Sequence, residues 1–218
     1  MVKGVEVLGG LEAEGIFRLS ASFSLVNKLV ERFDSGDLTV PSGSPHTVAA
    51  LLKKWMRDLP EPLFPNKFYN TCIQIAIDYN AESRDEAAVA AELDRLVSEL
   101  PAINQRIIYE LVHLVRKIIK NEPVNLMNAG NLAVVLNVSL LSNPDPDPTV
   151  VMRNSQFEVK FTELLFKYVP LNSESAIDSF SITISPETDD DSKLPKSITD
   201  NLDEPDVDPT DDIDEDEH

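Results

Sequence analysis

Apolar side chains recur every three or four residues along most of residues 1–170, which is the spacing of one buried face of an α-helix. The clearest helix start is Ser44 followed by Pro45, an N-cap residue and a proline at the first helical position. The apolar stripe behind this start consists of Val48, Leu51, Leu52, Trp55, Met56 and Leu59. The sequence "LPEP" at residues 59–62 is predicted to end this helix, because proline cannot continue one.

Five more segments have a helical pattern. The strongest is "INQRIIYELVHLVRKIIKN", in which one broad face carries Ile107, Ile108, Leu111, Leu114, Val115, Ile118 and Ile119. The segments "NKFYNTCIQIAIDYN", "SRDEAAVAAELDRLVSEL" and "QFEVKFTELLFKYV" are also predicted to be helical. The segment "MNAGNLAVVLNVSLL" is apolar nearly all round, which favours a central buried helix, although its valines would also suit a strand.

The connections between these segments are predicted to be loops at residues 36–43, 60–65, 121–126 and 142–153. No alternating pattern predicts a pair of strands. The sequence therefore predicts an all-α bundle of about seven to nine helices over residues 1–170.

Charge is distributed unevenly along the chain. Residues 171–218 contain seventeen acidic and two basic residues, so most of the net charge of −19 belongs to this segment. With few large apolar residues it cannot bury enough surface to offset the entropy of ordering, and we expect an acidic disordered tail. The folded part is close to neutral, and neither part has the positive charge that phosphate neutralisation requires, so nucleic acid is not an expected partner.

Several function classes are not supported by the sequence. Cys72 is the one cysteine, which excludes an intrachain disulfide and fits a reducing compartment. There is no secretory signal and no apolar stretch long enough to cross a bilayer, so we expect a cytoplasmic protein without direct membrane insertion. The three histidines are scattered, which argues against a metal site, and no phosphate-binding glycine loop is present.

A few polar residues remain as candidates for a site. Arg18 follows Phe17 in a Gly/Ser-rich segment that suits a projecting loop, although it could also pair with Glu12 or Glu14. Lys53 and Arg57 are one helical turn apart and repel each other, so a partner is expected nearby; a solvated basic face is the alternative. Asn131 lies on the most apolar helix and is expected to satisfy a loop backbone.

Four motifs together resemble one known family. "GLEAEGIFRLSAS", "VAALLKKWMRDLPEPLF", "LP..N......L" and "MNAGNLAVV" follow one another in the order and approximate spacing of the Rho GTPase-activating protein (RhoGAP) domain. The resemblance covers about residues 5–168 and excludes the tail. It implies a helical bundle that binds a Rho-, Rac- or Cdc42-type GTPase in its GTP state and accelerates hydrolysis, as an enzyme activator and as a monomer.

The resemblance also implies a role for each candidate residue. Arg18 matches the arginine finger, and Ser20 belongs to the motif of its loop. Lys53 matches the lysine that contacts the GTPase, and Arg57 matches the arginine that supports the finger loop. Asn131 begins the matching buried-helix motif and is expected to be structural. No cofactor is expected on this chain, because GTP and Mg²⁺ would be bound by the GTPase, whose lipid anchor could also recruit the complex to membranes.

This sequence departs from the family pattern in three places. Ala21 stands where the family usually has glycine, and Asn137 with Val138 replaces a Gly-Pro pair. Ser139 replaces an asparagine that reaches the GTPase in many members, so Ser139 is the expected GTPase-binding residue at that position. The family's first helix begins about ten residues before the equivalent of Val2, so the N-terminal helix is expected to be truncated.

Three hypotheses follow from these residues. The leading one is an active RhoGAP whose arginine finger acts in trans. The alternative, motivated by Ser139, is a module of the same fold that binds Rho-type GTPases or other partners as a scaffold and stimulates hydrolysis weakly. A third makes the acidic tail an intramolecular cover over Lys53 and Arg57, or a decoy for a basic partner.

Overall fold

Nine α-helices make up most of the chain that the computed structural model describes, which is residues 1–41, 43–81, 85–171 and 184–185. The helices are α1 (Val2–Val7), α2 (Phe23–Asp34), α3 (Pro45–Arg57), α4 (Tyr69–Ala81), α5 (Glu86–Ser98), α6 (Ala102–Lys120), α7 (Glu122–Asn125), α8 (Ala129–Leu140) and α9 (Pro148–Tyr168). A 3₁₀ turn at Asn66–Phe68 leads into α4. The predicted all-α bundle is therefore confirmed.

The long helix α9 organises one side of the bundle and α3 the other. Helix α9 packs against α4, α5, α6 and α8, whereas α3 packs against α1, α2 and α8. Between them lies one continuous apolar core, in which the rings of Phe64 and Phe161 meet edge to face with centroids 5.1 Å apart. A smaller cluster of Val26, Leu29 and Leu51 fixes α2 on α3. Because α3 and α8 both pack into this core, the distance and angle between their exposed faces are fixed.

The predicted start of α3 is confirmed in detail. The Ser44 hydroxyl accepts a hydrogen bond from the backbone N–H of His46 at 3.3 Å, and Pro45 occupies the first turn. The buried stripe is as predicted at Val48, Leu51, Leu52 and Met56, whereas Leu59 lies beyond the end of α3 and is half-buried, and Trp55 is 38% exposed. Trp55 lies at the edge of the stripe, where a ring of its size remains partly in solvent.

Two loop predictions were wrong. The segment 121–126 contains the short helix α7, and α9 begins at Pro148, inside the predicted loop 142–153. Asp147 caps α9 by accepting a hydrogen bond from the N–H of Thr149 at 2.8 Å. The first turns of α9 escaped prediction because they bury no stripe: Val151 and Met152 are both exposed. The segment 129–140, for which a strand remained possible, is helical.

The predicted tail lies outside the described residues except for Leu171 and the pair Ile184–Ser185. That pair forms a two-residue parallel ladder with Val40–Pro41, which differs from the disorder predicted for these two positions. For the rest of the tail disorder stays a prediction. No helix in the described ranges is long and apolar enough to cross a bilayer.

Candidate functional site

The segment between α1 and α2 is a chain of tight turns rather than a helix. Gly15 and Phe17 both have left-handed backbone conformations, with φ of 64° and 67°. The carbonyl of Gly15 accepts hydrogen bonds from the N–H groups of Arg18 and Leu19, each at 2.9 Å. Ile16 and Phe17 bury their side chains in the core, so the next side chain, that of Arg18, points outward. We call residues 11–20 the finger loop.

The Arg18 side chain is exposed and has no hydrogen bond or ion pair to any described residue, so the alternative of pairing with Glu12 or Glu14 is not observed. Its guanidinium lies back over the loop, where a Cβ atom on Gly15 would stand 3.3 Å from Nη2. All of its donors are therefore available to a partner.

Lys53 supports the finger loop from α3. Its ammonium donates a hydrogen bond to the carbonyl oxygen of Phe17 at 2.5 Å, directly before Arg18 in the chain. Burial lowers the pKa of Lys53, and the nearby positive charge of Arg57 lowers it further. The partner that the sequence predicted near this basic pair is therefore the backbone carbonyl of Phe17, which Lys53 contacts.

Arg57 lies one turn beyond Lys53 and is exposed. Among the described residues it has no hydrogen bond or ion pair. The family resemblance assigned support of the loop to Arg57 and contact with the GTPase to Lys53. In this structure Lys53 contacts the loop and Arg57 is exposed, and the two roles toward a GTPase stay predictions.

Asn125, in α7, is a residue that the sequence reasoning missed. It is fully buried, and its carbonyl accepts a hydrogen bond from the N–H of Gly15 at 2.8 Å. Its side-chain amide donates to the carbonyl of Leu11 at 2.8 Å. Neither contact leaves a signal in the hydrophobic periodicity, because Asn125 lies in a segment that is too short to show one.

The predicted residues of α8 lie in different environments. Asn131 is exposed rather than buried, and its side-chain amide donates to the carbonyl of Leu126 in the preceding loop at 3.3 Å. Ser139 is only 2% exposed, and its hydroxyl has no hydrogen-bond partner in the described chain. Ser139 is therefore a buried position in this structure, and its contact with a GTPase stays a prediction.

Two further residues of the motifs lie near these positions. Ser20 is exposed at the end of the finger loop, and its hydroxyl makes no hydrogen bond to the described residues. Asn137, next to Val138 where the family has Gly-Pro, donates to the carbonyls of Ala133 and Val134 within its own helix. With no proline at position 138, α8 continues to Leu140.

Arg18, Lys53 and Arg57 therefore form one basic site on the finger loop and α3. Lys53 fixes the loop, and the other two cations are unpaired within the described chain. An exposed guanidinium on a supported turn can donate several charge-assisted hydrogen bonds to a phosphate or a carboxylate. The site is shaped to present a cation rather than to enclose a ligand.

Comparison with known proteins finds relatives that match most of the helical bundle. Residues 1–145 match the RhoGAP domain. The chain is 38% identical over 150 residues to mouse Rho GTPase-activating protein 25, a match that covers 67% of this chain and 22% of that protein. It is 34% identical over 167 residues to Rho GTPase-activating protein gacY of Dictyostelium discoideum, covering 75% of this chain and 23% of that protein. The chain thus spans about a fifth of the length of these relatives.

Two solved structures share the fold. The crystal structure of human Rho GTPase activating protein 15 superposes with a TM-score of 0.65 at 26% identity, covering 76% of this chain and 79% of that one. The BH domain from GRAF, the GTPase regulator associated with focal adhesion kinase, also superposes with a TM-score of 0.65, at 24% identity, covering 78% of this chain and 94% of that one.

Proposed function

Because the chain belongs to the RhoGAP domain family, we propose that it binds a Rho-family GTPase in the GTP state and accelerates hydrolysis by inserting Arg18 in trans. The observation that carries the proposal is the state of Arg18. It is exposed and unpaired within the described chain, on a loop that Lys53 and Asn125 tie to the bundle.

The chemistry of GTP hydrolysis suits such a group. Negative charge develops on the transferred phosphoryl group and the leaving oxygen, and a planar guanidinium offers permanently charged donors to several of these oxygens. For the small GTPase Ras and its activator, an arginine finger supplied in trans contributes roughly 10³–10⁵ in rate. A loop already held in place avoids part of the ordering cost when the arginine enters the GTPase.

The GTPase supplies the rest of the reaction in this proposal. It binds GTP and Mg²⁺, and its switch regions and water-positioning glutamine are ordered when the activator docks. This chain then needs no cofactor of its own and acts as a monomer in a one-to-one complex. It would work in the cytoplasm or at membranes that carry the lipid-anchored GTPase.

The test is a single-turnover hydrolysis assay on GTP-loaded Rho-, Rac- and Cdc42-type proteins. We expect wild-type protein to stimulate at least one of them, and Arg18→Ala to lower the maximal stimulated rate by at least about a hundredfold. The matched control is Arg153→Ala, which removes another exposed arginine, on α9. Stimulation that survives Arg18→Ala unchanged would sink the proposal.

A second candidate is a RhoGAP-fold module that binds Rho-type GTPases or other partners but stimulates hydrolysis weakly. Ser139 favours this candidate, because many family members have at this position an asparagine that reaches the GTPase. Ser139 is buried and lacks that amide, and in this candidate the contact is not replaced. This candidate predicts measurable affinity for the GTP-loaded protein and no stimulation by wild-type. The same panel separates the two candidates.

A further inference from the structure

We propose that Asn125 is the positioning residue for Arg18: it ties the finger loop to the junction between α7 and α8 and so sets where the guanidinium stands. The inference rests on the proposed function for its catalytic readout. It adds a residue to which neither the motifs nor the comparisons give a role.

Two hydrogen bonds join Asn125 to the finger loop. The side-chain amide donates to the carbonyl of Leu11, and the main-chain carbonyl accepts from the N–H of Gly15, both at 2.8 Å. These bonds fix both ends of the segment 11–15, which enters the turn at Arg18. Since the Arg18 N–H bonds to the Gly15 carbonyl, Asn125 reaches the backbone of Arg18 through one intervening residue.

The remaining polar groups of Asn125 are bound to the bundle. The second amide hydrogen is directed to the carbonyl of Ile118 at 2.7 Å, near the end of α6. The amide oxygen accepts from the N–H of Met127 at 2.8 Å, just before α8. A fully buried side chain that joins three segments has no solvent to replace these partners, so its removal leaves buried backbone groups unpaired.

The same junction carries surface that a partner can reach. Val124 and Leu126 flank Asn125 in the chain and are both exposed. Asn131 holds the carbonyl of Leu126 from the first turn of α8. A partner that contacts the junction would therefore meet a surface whose position relative to Arg18 is fixed by one buried side chain.

The experiment uses Asn125→Ala with Asn104→Ala as its matched control. The Asn104 amide also donates to a loop carbonyl at 2.8 Å, but that carbonyl belongs to Leu63, outside the finger loop. We expect Asn125→Ala to lower the maximal stimulated rate by about ten- to a hundredfold, because a small misplacement of a catalytic group costs up to about a hundredfold. Affinity for the GTPase loaded with a non-hydrolysable GTP analogue should change less than about threefold, and Asn104→Ala should leave the rate unchanged.

A double variant separates positioning from general damage. If Asn125 acts through Arg18, then Asn125→Ala added to Arg18→Ala lowers the rate no further than Arg18→Ala alone. A multiplicative loss, or an equal loss in Asn104→Ala, would overturn the proposal.

Amide hydrogen exchange on the wild-type protein tests the tether without any variant. We expect the Gly15 N–H to be protected about as strongly as amides in the middle of α8, because its acceptor is buried. An unprotected Gly15 amide would overturn the proposal even where Asn125→Ala does not fold. If wild-type protein stimulates no GTPase, the proposed function fails, whereas this exchange measurement still decides whether Asn125 holds the loop.

Discussion

Replacing Lys53 by methionine tests which cation supports the finger loop. Methionine keeps much of the apolar stem and removes the ammonium that donates to the Phe17 carbonyl at 2.5 Å. A hydrogen bond to a charged group contributes about 1.5–3 kcal/mol. Burial of Lys53 and repulsion from Arg57 both reduce this gain. We therefore expect the loop to lose about 1–2 kcal/mol of its preference for the observed conformation, which is a factor of about 5–30 in the equilibrium constant between the closed and the open turn.

Hydrogen exchange of the loop amides measures this equilibrium constant directly. The Arg18 and Leu19 N–H groups both bond to the Gly15 carbonyl, and their protection reports whether the turn is closed. In Lys53→Met we expect their protection to fall about 5–30-fold. The maximal stimulated hydrolysis rate should fall by no more than this factor, because the rate follows the fraction of closed turn that presents Arg18, whereas protection follows the equilibrium constant.

Arg57→Met is the control for this experiment. Arg57 has no hydrogen bond or ion pair within the described chain, so its loss should leave the protection of the Arg18 amide unchanged. If Arg57→Met loosens the turn and Lys53→Met does not, support of the loop belongs to Arg57. The role inferred for Lys53 from its contact with the Phe17 carbonyl would then be wrong.

Three further predictions concern single positions. Gly15→Ala should lower the free energy of unfolding by about 1 kcal/mol or more and also lower the stimulated rate, because φ at Gly15 is 64° and the new Cβ would lie 2.8 Å from Leu19 Cγ. In the control Gly36→Ala, φ is also positive but the space is open, so stability should fall while the stimulated rate stays unchanged. Burial alone would raise the pKa of Glu163, but hydrogen bonds from two lysines outweigh burial and lower the pKa. The carboxylate therefore stabilises the fold above its ordinary pKa of 4.5, and this stabilisation is lost on acidification. Glu163→Gln should therefore lower the melting temperature at pH 7, and the difference from wild-type should shrink as the pH falls below 4.5; a difference that grows on acidification would contradict this. Ser139→Ala should raise the melting temperature or leave it unchanged, since the buried hydroxyl has no partner in the described chain, and GTPase affinity should not change; weaker binding would show that Ser139 does reach the GTPase.

The helices were predictable from the sequence wherever they bury a stripe of their own. Helix α6 shows this, since its apolar positions recur over nineteen residues and six of them are buried. Helix α7 has four residues, which is too short for any period to be visible. The first turns of α9 begin with Asp147 and Pro148, the same kind of start signal as Ser44 and Pro45, but no buried stripe follows at once to support a helix there.

The candidate site was only partly predictable, because hydrogen bonds between residues far apart in the chain hold it together. Arg18 and Lys53 could be identified as candidates from the motifs, but the contact that Lys53 makes and the role of Asn125 could not. Lys53 reaches the Phe17 carbonyl across 36 positions in the chain, and Asn125 reaches that of Leu11 across 114. A contact to a backbone carbonyl requires no particular side chain at the other end, so the partner leaves no trace in the sequence.

The finger loop combines strain with burial, and the balance between them explains why Arg18 is exposed. A non-glycine residue with φ of 67°, as at Phe17, costs about 1–3 kcal/mol. Burying the side chains of Ile16 and Phe17 contributes about 1.5–3 kcal/mol each, which offsets that cost. Side chains that enter the core at positions 16 and 17 force the chain to turn sharply, and the turn directs the next side chain away from the core. The same packing that stabilises the loop therefore holds Arg18 in solvent, where it can reach a partner.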